Sequence, residues 1–301
     1  MRPRTRGESD SSIGNVSARF ERELNTRREV ECESRQMPHE PHGVSFQGRI
    51  AVVTGASSGI GAAVAVDLAR RGATVVAVAR RADRLETTVE ACAVHAPTSV
   101  AHPADVSSRA ACEEIVSATE ATFGRVDILV NNAGISIHKN AARTSADEIE
   151  HVMAVNFFAP VWLTTAALPG MIERRSGSVV NVTSVAGYVP NPGESAYGAS
   201  KAALSRWSHG LAVDLHGTGV KVGVLSPGPI DTEIWSLDEE LTYNGRLYPP
   251  QVVADGVAHM IDRGVTHMTV PRRYGAVGVL YPLLGRPMRW GMRKYEDRAK
   301  K

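Results

Sequence analysis

The stretch Arg49 to Gly61 reads RIAVVTGASSGIG, and its reading decides the fold. The β-branched run Ile50 to Thr54 has the pattern of a buried strand. Gly55, Gly59 and Gly61 follow, and an apolar helical stretch runs from Ala62 to Arg71. Glycines at these points permit a tight turn from strand to helix and let backbone amides come close to a pyrophosphate. The helix N-terminus adds the positive end of its dipole. The spacing is G-x-x-x-G-x-G rather than the G-x-G-x-x-G of the standard dinucleotide fingerprint. Many glycine-rich loops are only turns. The strand before this one and the apolar helix after it supply the context a nucleotide loop needs.

Working outward, strand and helix patterns alternate along the chain. A second strand, Thr74 to Ala79, ends in Arg80-Arg81. In dinucleotide folds this strand end faces the adenosine ribose, where an acidic residue would accept the ribose hydroxyls. Two arginines instead favour a 2′-phosphate, which guanidinium grips bidentately; a solvated basic loop is the plain alternative. A helix over 82–95 leads to a third strand near 99–104 and to Asp105-Val106. Ser107 or Ser108 then caps a helix to about Phe123. The fourth strand, Asp127 to Val130, runs into Asn131-Asn132-Ala133-Gly134. Ser145 with Glu148 makes a capping-box signature, and the helical stretch behind it carries Asn156. Asparagine is unfavourable within a helix and invites a reason, although a solvent-facing side chain would explain it too. A sixth strand, Val220 to Leu225, ends in Ser226-Pro227-Gly228-Pro229-Ile230-Asp231-Thr232. Residues 233–248 read as a mobile loop with Trp235, Tyr243 and Tyr248. Pro249-Pro250 opens a helix to about Asp262, and His267 to Val270 forms a seventh strand. This alternation requires an α/β fold, a parallel sheet of about seven strands with helices on both faces and a ligand at the carboxyl edge.

The chemistry concentrates in residues 178–201, SVVNVTSVAGYVPNPGESAYGASK. An apolar strand (Val179, Val180, Val182) runs into Ser184, then a Gly/Pro/Asn loop, then a helix carrying Tyr197 and Lys201. Residues four apart share a helix face, so phenol and ammonium can point into one space. A phenol titrates near ~10, and a cation beside it favours the phenolate and lowers that pKa. Ser184 could hydrogen-bond the same reacting oxygen. General acid–base work on a carbonyl or carbinol requires such a set. Tyr-x-x-x-Lys by itself is also a frequent accident of helix surfaces.

Composition narrows the function classes. The chain has 301 residues, a hydrophobic fraction of 43% and a net charge of +2. No apolar run is expected to approach the ~18 residues of a membrane span, and the first residues, charged and without an apolar segment, are expected to carry no secretory signal. Cys32, Cys92 and Cys112 carry no metal-ligand spacing, which points to reduced thiols in a cytoplasmic protein without disulfide or metal. Charge is unevenly distributed: zero net over residues 1–46, −5 over 47–271 and +7 over 272–301. A mildly acidic body is a poor nucleic-acid platform. Residues 1–46 mix Arg, Glu and Ser with isolated apolar residues and are expected to be a disordered extension.

Taken together, Thr54-Gly55-x-x-x-Gly59-Ile60-Gly61, Asn131-Asn132-Ala133-Gly134, Ser184 with Tyr197-x-x-x-Lys201, and Pro227-Gly228 resemble the short-chain dehydrogenase/reductase family over roughly residues 47–272. The resemblance implies a single Rossmann-type domain, an NAD(P) cofactor and hydride transfer between a carbonyl and an alcohol. It implies that Tyr197 is the acid/base and that Ser184 positions the substrate oxygen. Lys201 would hold the nicotinamide ribose and lower the tyrosine pKa, and Asn156 would support a relay water. Gly55, Ser57, Ser58, Gly59, Ile60 and Gly61 would line the pyrophosphate and adenosine side. Asp105 and Val106 would border the adenine, and Asn132, Ala133 and Gly134 the adjacent ribose. Pro227, Gly228, Ile230 and Thr232 would stand on the nicotinamide side, the last two at its carboxamide. With Arg80 and Arg81, the expected cofactor is NADP(H). After Asn156 the chain reads Phe-Phe-Ala, where family members often place a glycine.

A sensor or scaffold that binds NADP(H) without turnover is the alternative of another class; both Tyr197 and Lys201, whose loss would mark it, are present. The expected partners are a small carbonyl or alcohol substrate, apolar in character if Tyr188, Trp235 and Tyr243 line its pocket, and further copies of the chain as a homodimer or homotetramer. The extension 273–301 combines basic residues with Leu280, Tyr281, Leu283, Leu284 and Trp290. It either packs on the body or lies on an anionic membrane surface, making the protein peripheral to a membrane.

Overall fold

The computed structural model describes residues 45–233, 245–276, 278, 280, 281, 284 and 285. The chain divides into two units, Met1–Gly43 and Val44–Lys301, and all described residues belong to the second. The expected disorder over 1–44, Trp235 and Tyr243 of the loop, and the basic end beyond 285 lie outside the described residues.

Seven strands form one parallel sheet in the order β3-β2-β1-β4-β5-β6-β7. They are β1 Ile50–Thr54, β2 Thr74–Ala79, β3 Val100–Pro103, β4 Ile128–Asn131, β5 Gly177–Val182, β6 Val220–Pro227 and β7 His267–Val270. The crossover helices are α1 Gly59–Arg70, α2 Ala82–Ala93, α3 Arg109–Phe123, α4 Ala146–Met153, α5 Ala159–Glu173, α6 Ser195–Asp214 and α7 Gln251–Arg263. Two core layers follow from the strand period of two. Ala51 and Val53 of β1, Val75 and Ala77 of β2 and Ile128 and Val130 of β4 pack with α1, α2 and α7. Their alternates Val52, Val76, Val78 and Leu129 pack with α3 and α5 on the other face. Because both faces are covered, the central strands read as unbroken apolar runs.

The local predictions match these elements closely. Ser108 caps α3 by accepting from Ala111 N, and Ser145 with Glu148 forms the capping box of α4. Helix α4 does not break before α5; a π-helical turn, Ala154–Phe158, joins them. The resulting run Ala146–Glu173 is long and apolar enough to cross a membrane, with a mean hydropathy of 1.4 in its best window. His151 and Asn156 interrupt that run in the sequence, which is why it does not read as a span. Its inner side, including Val155, Ala159, Leu163, Ala167 and Met171, packs under the sheet as a core helix does.

Two boundaries shift. Phe46, which the sequence reading leaves in the extension, is 1% exposed and sits in the core. Its amide donates to Arg71 O at 2.7 Å, closing the end of α1. At the other end, a side chain added at Gly228 would meet the Tyr274 ring at 2.8 Å, and one at Gly278 would meet the Tyr188 ring at 3.3 Å. The first part of the C-terminal extension therefore lies on the body. Phe46→Ala should lower unfolding stability by about 3 kcal/mol, as loss of a buried aromatic does; denaturant unfolding measures it, and a change under about 0.5 kcal/mol would refute this role.

Candidate active site

The sheet reverses its winding between β1 and β4, and the crevice outside their carboxyl ends is where this fold class holds ligands. The chain is drawn tight there. Thr54 Oγ1 accepts from the amides of Asn132 and Ala133, both at 3.0 Å, and Asn132 Nδ2 donates back to Thr54 O at 3.0 Å. Gly55 and Gly59 adopt φ of +67° and +55°, conformations open to glycine. A Cβ on Gly61 would lie 2.1 Å from Gly55 O, so no other residue fits. Helix α1 begins here with Ser58 as N-cap, yet the Ser58 side chain makes no capping bond and the first turn carries no acidic residue. Its N-terminal amides and dipole face a glycine-walled cradle, which fits the pyrophosphate of a dinucleotide.

The Ser58 hydroxyl is used elsewhere. Arg81 Nη2 donates to it at 2.9 Å and to Ser57 Oγ at 3.2 Å. Arg81, the N-cap of α2, is thus the arginine aimed at the glycine loop. Arg80, the other expected phosphate ligand, is exposed. The Ser107 amide, first, and Arg80 and His151 more weakly hold the Asp105 carboxyl below the usual range.

Ser184, Tyr197, Lys201 and Asn156 meet at the end of β5. Ser184 N-caps a short 3-10 turn, Val185–Gly187, its Oγ accepting from Ala186 N at 3.1 Å, and its hydroxyl lies close enough to the Tyr197 phenol to favour the phenolate. Lys201 is 3% exposed; Nζ donates to Val182 O at 3.0 Å and lies 5.8 Å from the Tyr197 ring centre. Gly134 leaves room for it, since a Cβ there would come within 3.2 Å of Nζ. Asn156, fully buried in the π-helical turn, clamps the loop after β4. Its Oδ1 accepts from Ile135 N at 2.8 Å, and its Nδ2 donates to Ile135 O at 2.9 Å and to Ser200 Oγ at 3.0 Å. A π-turn inserts a residue into the helical ladder and recurs at functional sites; here it answers why an asparagine stands mid-helix.

The electrostatics depart from expectation. A lowered tyrosine pKa was expected from the neighbouring lysine, but burial dominates both groups. It pushes Tyr197 up to about 12, with Ser184 opposing and Glu194 adding to the rise. It pushes Lys201 down to about 8. Tyr197 as a residue is half-buried, and Lys201 is buried.

The remaining expected residues divide. Thr232 packs over the glycine loop, 3.0 Å from where a Gly59 Cβ would stand. Pro227 ends β6, and Gly228 N donates to Val270 O at 2.8 Å. The side chains of Ile230 and Val106 belong to the two cores. Tyr188, read as a pocket wall, has its hydroxyl 2.6 Å from Ser226 Oγ and 3.2 Å from His267 Nε2. Cys92 and Cys112 are buried thiols that burial pushes up to about 11 and about 12, and no metal-binding cluster exists among the described residues. Sequence reading missed the buried pair His138 Nε2 and Glu194 Oε1, 3.0 Å apart, which ties the loop after β4 to the start of α6. It also missed the polar ladder in which Asn131 Nδ2 donates to Asn181 Oδ1 at 2.8 Å and Asn181 Nδ2 to Ser208 Oγ at 2.7 Å. Both join residues remote in sequence, so spacing carries no signal of them.

Comparison with known proteins agrees with this geometry. The family model described as short chain dehydrogenase matches residues 49–241. A short chain dehydrogenase of Pseudocercospora fijiensis is 43% identical over 202 residues, 65% of this chain and 64% of that protein. The match thus spans less than two thirds of that relative's length. The ketoacyl reductase HetN of a Nostoc species is 34% identical over 75% of this chain and 79% of its own. Among solved structures, a metagenomic short-chain oxidoreductase in complex with NADP is 31% identical with a TM-score of 0.65, covering 74% of this chain and 96% of that one. A parallel seven-stranded sheet, a glycine cradle at its switch point, a Ser-Tyr-Lys-Asn cluster beside it and this family match lead to one conclusion: the chain belongs to the short-chain dehydrogenase/reductase family of oxidoreductases, which use NAD(P).

Proposed function

We propose that this protein is an NADP(H)-dependent oxidoreductase that interconverts a ketone and a secondary alcohol, with Tyr197 as its acid/base. The observation that carries the reading is the meeting of Ser184, Tyr197 and Lys201 at the end of β5, beside the glycine cradle of β1 and α1. The nicotinamide supplies or accepts the hydride when bound. Tyr197 holds its proton firmly at neutral pH, as burial and Glu194 dictate, which suits it to protonate a carbonyl oxygen. The Ser184 hydroxyl stabilises the phenolate left behind. Lys201 is a cation at neutral pH beside the phenol, fixed by Val182 O, and is the group available to a ribose hydroxyl. Asn156 spends its amide on Ile135 and Ser200, so it acts by positioning the Asn132–Ile135 turn. Arg81 with Ser57 and Ser58 supports a 2′-phosphate site, and the NADP complex of the metagenomic relative agrees with it. HetN's name supports a ketoacyl compound as one candidate substrate class.

Three outcomes follow. Tyr197→Phe should retain cofactor binding and lose at least about a hundredfold in kcat, the range of general acid–base contributions; a substantial residual rate across a carbonyl panel followed by NADPH absorbance refutes the assignment. Arg81→Gln should weaken NADPH binding about tenfold or more while sparing NADH, since charge-assisted bonds contribute roughly 1.5–3 kcal/mol; fluorescence titration reads both, and equal Kd values for the two cofactors in the unsubstituted protein would contradict the preference. The third concerns pH. Lys201 falls from an ordinary 10.5 to about 8 on folding, so the unfolded chain binds more protons between those values and stability rises with pH across them. Relative to Lys201→Met, the ligand-free protein should therefore gain about 1 kcal/mol between pH 7 and pH 9; parallel unfolding curves at the two pH values exclude a buried charged lysine.

A further inference from the structure

One carboxylate reaches the phosphate-facing arginines from the far side of the crevice. Glu233 follows Thr232, which packs on Gly59. Its Oε2 accepts from Arg81 Nη1 at 2.9 Å, and its Oε1 accepts from Arg84 Nη1. Arg81 and Arg84 are three apart at the start of α2 and present one face. The same Arg81 guanidinium uses Nη2 on Ser57 and Ser58. The two arginines thus hold an anion beside the glycine loop, 152 and 149 residues away in sequence from the carboxylate that supplies it. They keep the Glu233 carboxyl below its usual range, so it is charged at neutral pH. All three side chains are 40–48% exposed, which leaves the cluster open to a ligand.

We propose that Glu233 is a specificity-determining residue that occupies the two-guanidinium site of the cofactor's 2′-phosphate and must be displaced before NADP(H) binds there. This rests on the reading that Arg81 receives that phosphate. The exchange is favourable for a phosphate and for little else. Exposed ion pairs between single charges hold by a factor of about two to five each, whereas a phosphate brings up to two charges and three strong acceptors. NAD(H) has no group with which to displace Glu233, and it leaves the ion pairs in place. The carboxylate thereby lowers affinity for NADP(H) while keeping smaller anions out of the arginine pair.

The test is calorimetric titration of the full chain with 2′,5′-ADP, 5′-ADP, NADPH and NADH. Glu233→Gln should tighten 2′,5′-ADP and NADPH about three- to tenfold and leave 5′-ADP and NADH within twofold. In an Arg81→Gln background the same substitution should lose most of that effect, which separates competition for the guanidinium from a general change of charge. Weaker binding of 2′,5′-ADP in Glu233→Gln would make the carboxylate part of the ligand site and overturn the proposal. Equal tightening of all four ligands would overturn it too, as a charge effect. If Arg81→Gln abolishes the preference for 2′,5′-ADP over 5′-ADP but Glu233→Gln changes nothing, this inference fails and the cofactor reading stands. If neither the unsubstituted protein nor Glu233→Gln prefers 2′,5′-ADP, both fail. Glu233 is a surface residue, and an unchanged melting curve verifies that the variant is folded.

Discussion

The Thr54 hydroxyl, accepting from two consecutive amides of the turn after β4, is the contact on which the site depends. It locks the carboxyl ends of β1 and β4 together where the sheet changes direction. With those ends locked, the backbone of the first turn runs against the Asn132 side chain. Three glycines then follow from space: Gly55 and Gly61 meet Asn132, Ala133 or each other, and Gly134 meets Lys201. The clamp serves ligand and chemistry at once, because one turn walls the cradle on one side and the lysine on the other.

From there the site is built inward from helices that the core holds rigid. Asn156 grips both backbone groups of Ile135 and passes a hydrogen bond to Ser200, which donates in turn to Tyr197 O at 2.7 Å. The loop after β4, the π-turn and the catalytic helix are therefore one hydrogen-bonded unit. His138 and Glu194 add a second tie between the same loop and the same helix. Precision at a reacting oxygen needs supporting contacts of this kind.

Burial sets the proton affinities in the ligand-free chain. A lysine enclosed at the foot of a phenol is disfavoured as a cation, and the phenol as an anion. In the proposed reaction a proton donor and a cation close together are what this arrangement supplies, and natural proteins spend stability where function requires it. Glu233, Arg81 and Arg84 show the opposite regime at the rim. There charges stay solvated, contacts are individually weak, and exchange for a stronger anion is easy.

Sequence by itself determined the elements. The apolar runs of β1, β2, β4 and β5, the Ser108 cap, the Ser145–Glu148 box and the glycine turn are encoded within a few residues, and local periodicity reveals them. It also determined that Tyr197 and Lys201 share a helix face, since four residues make about one turn. Only the tertiary structure brought the Arg81 guanidinium onto Ser57 and Ser58 of the glycine loop. Only the fold tied Tyr188 to Ser226 and His267, packed Phe46 into the core and set Glu233 on Arg81. It also decided the proton affinities, for the spacing of Tyr197 and Lys201 predicts attraction while enclosure by β5 and α6 makes desolvation the larger effect. Each of these depends on chain segments distant in sequence, and packing, not spacing, determines what such segments meet.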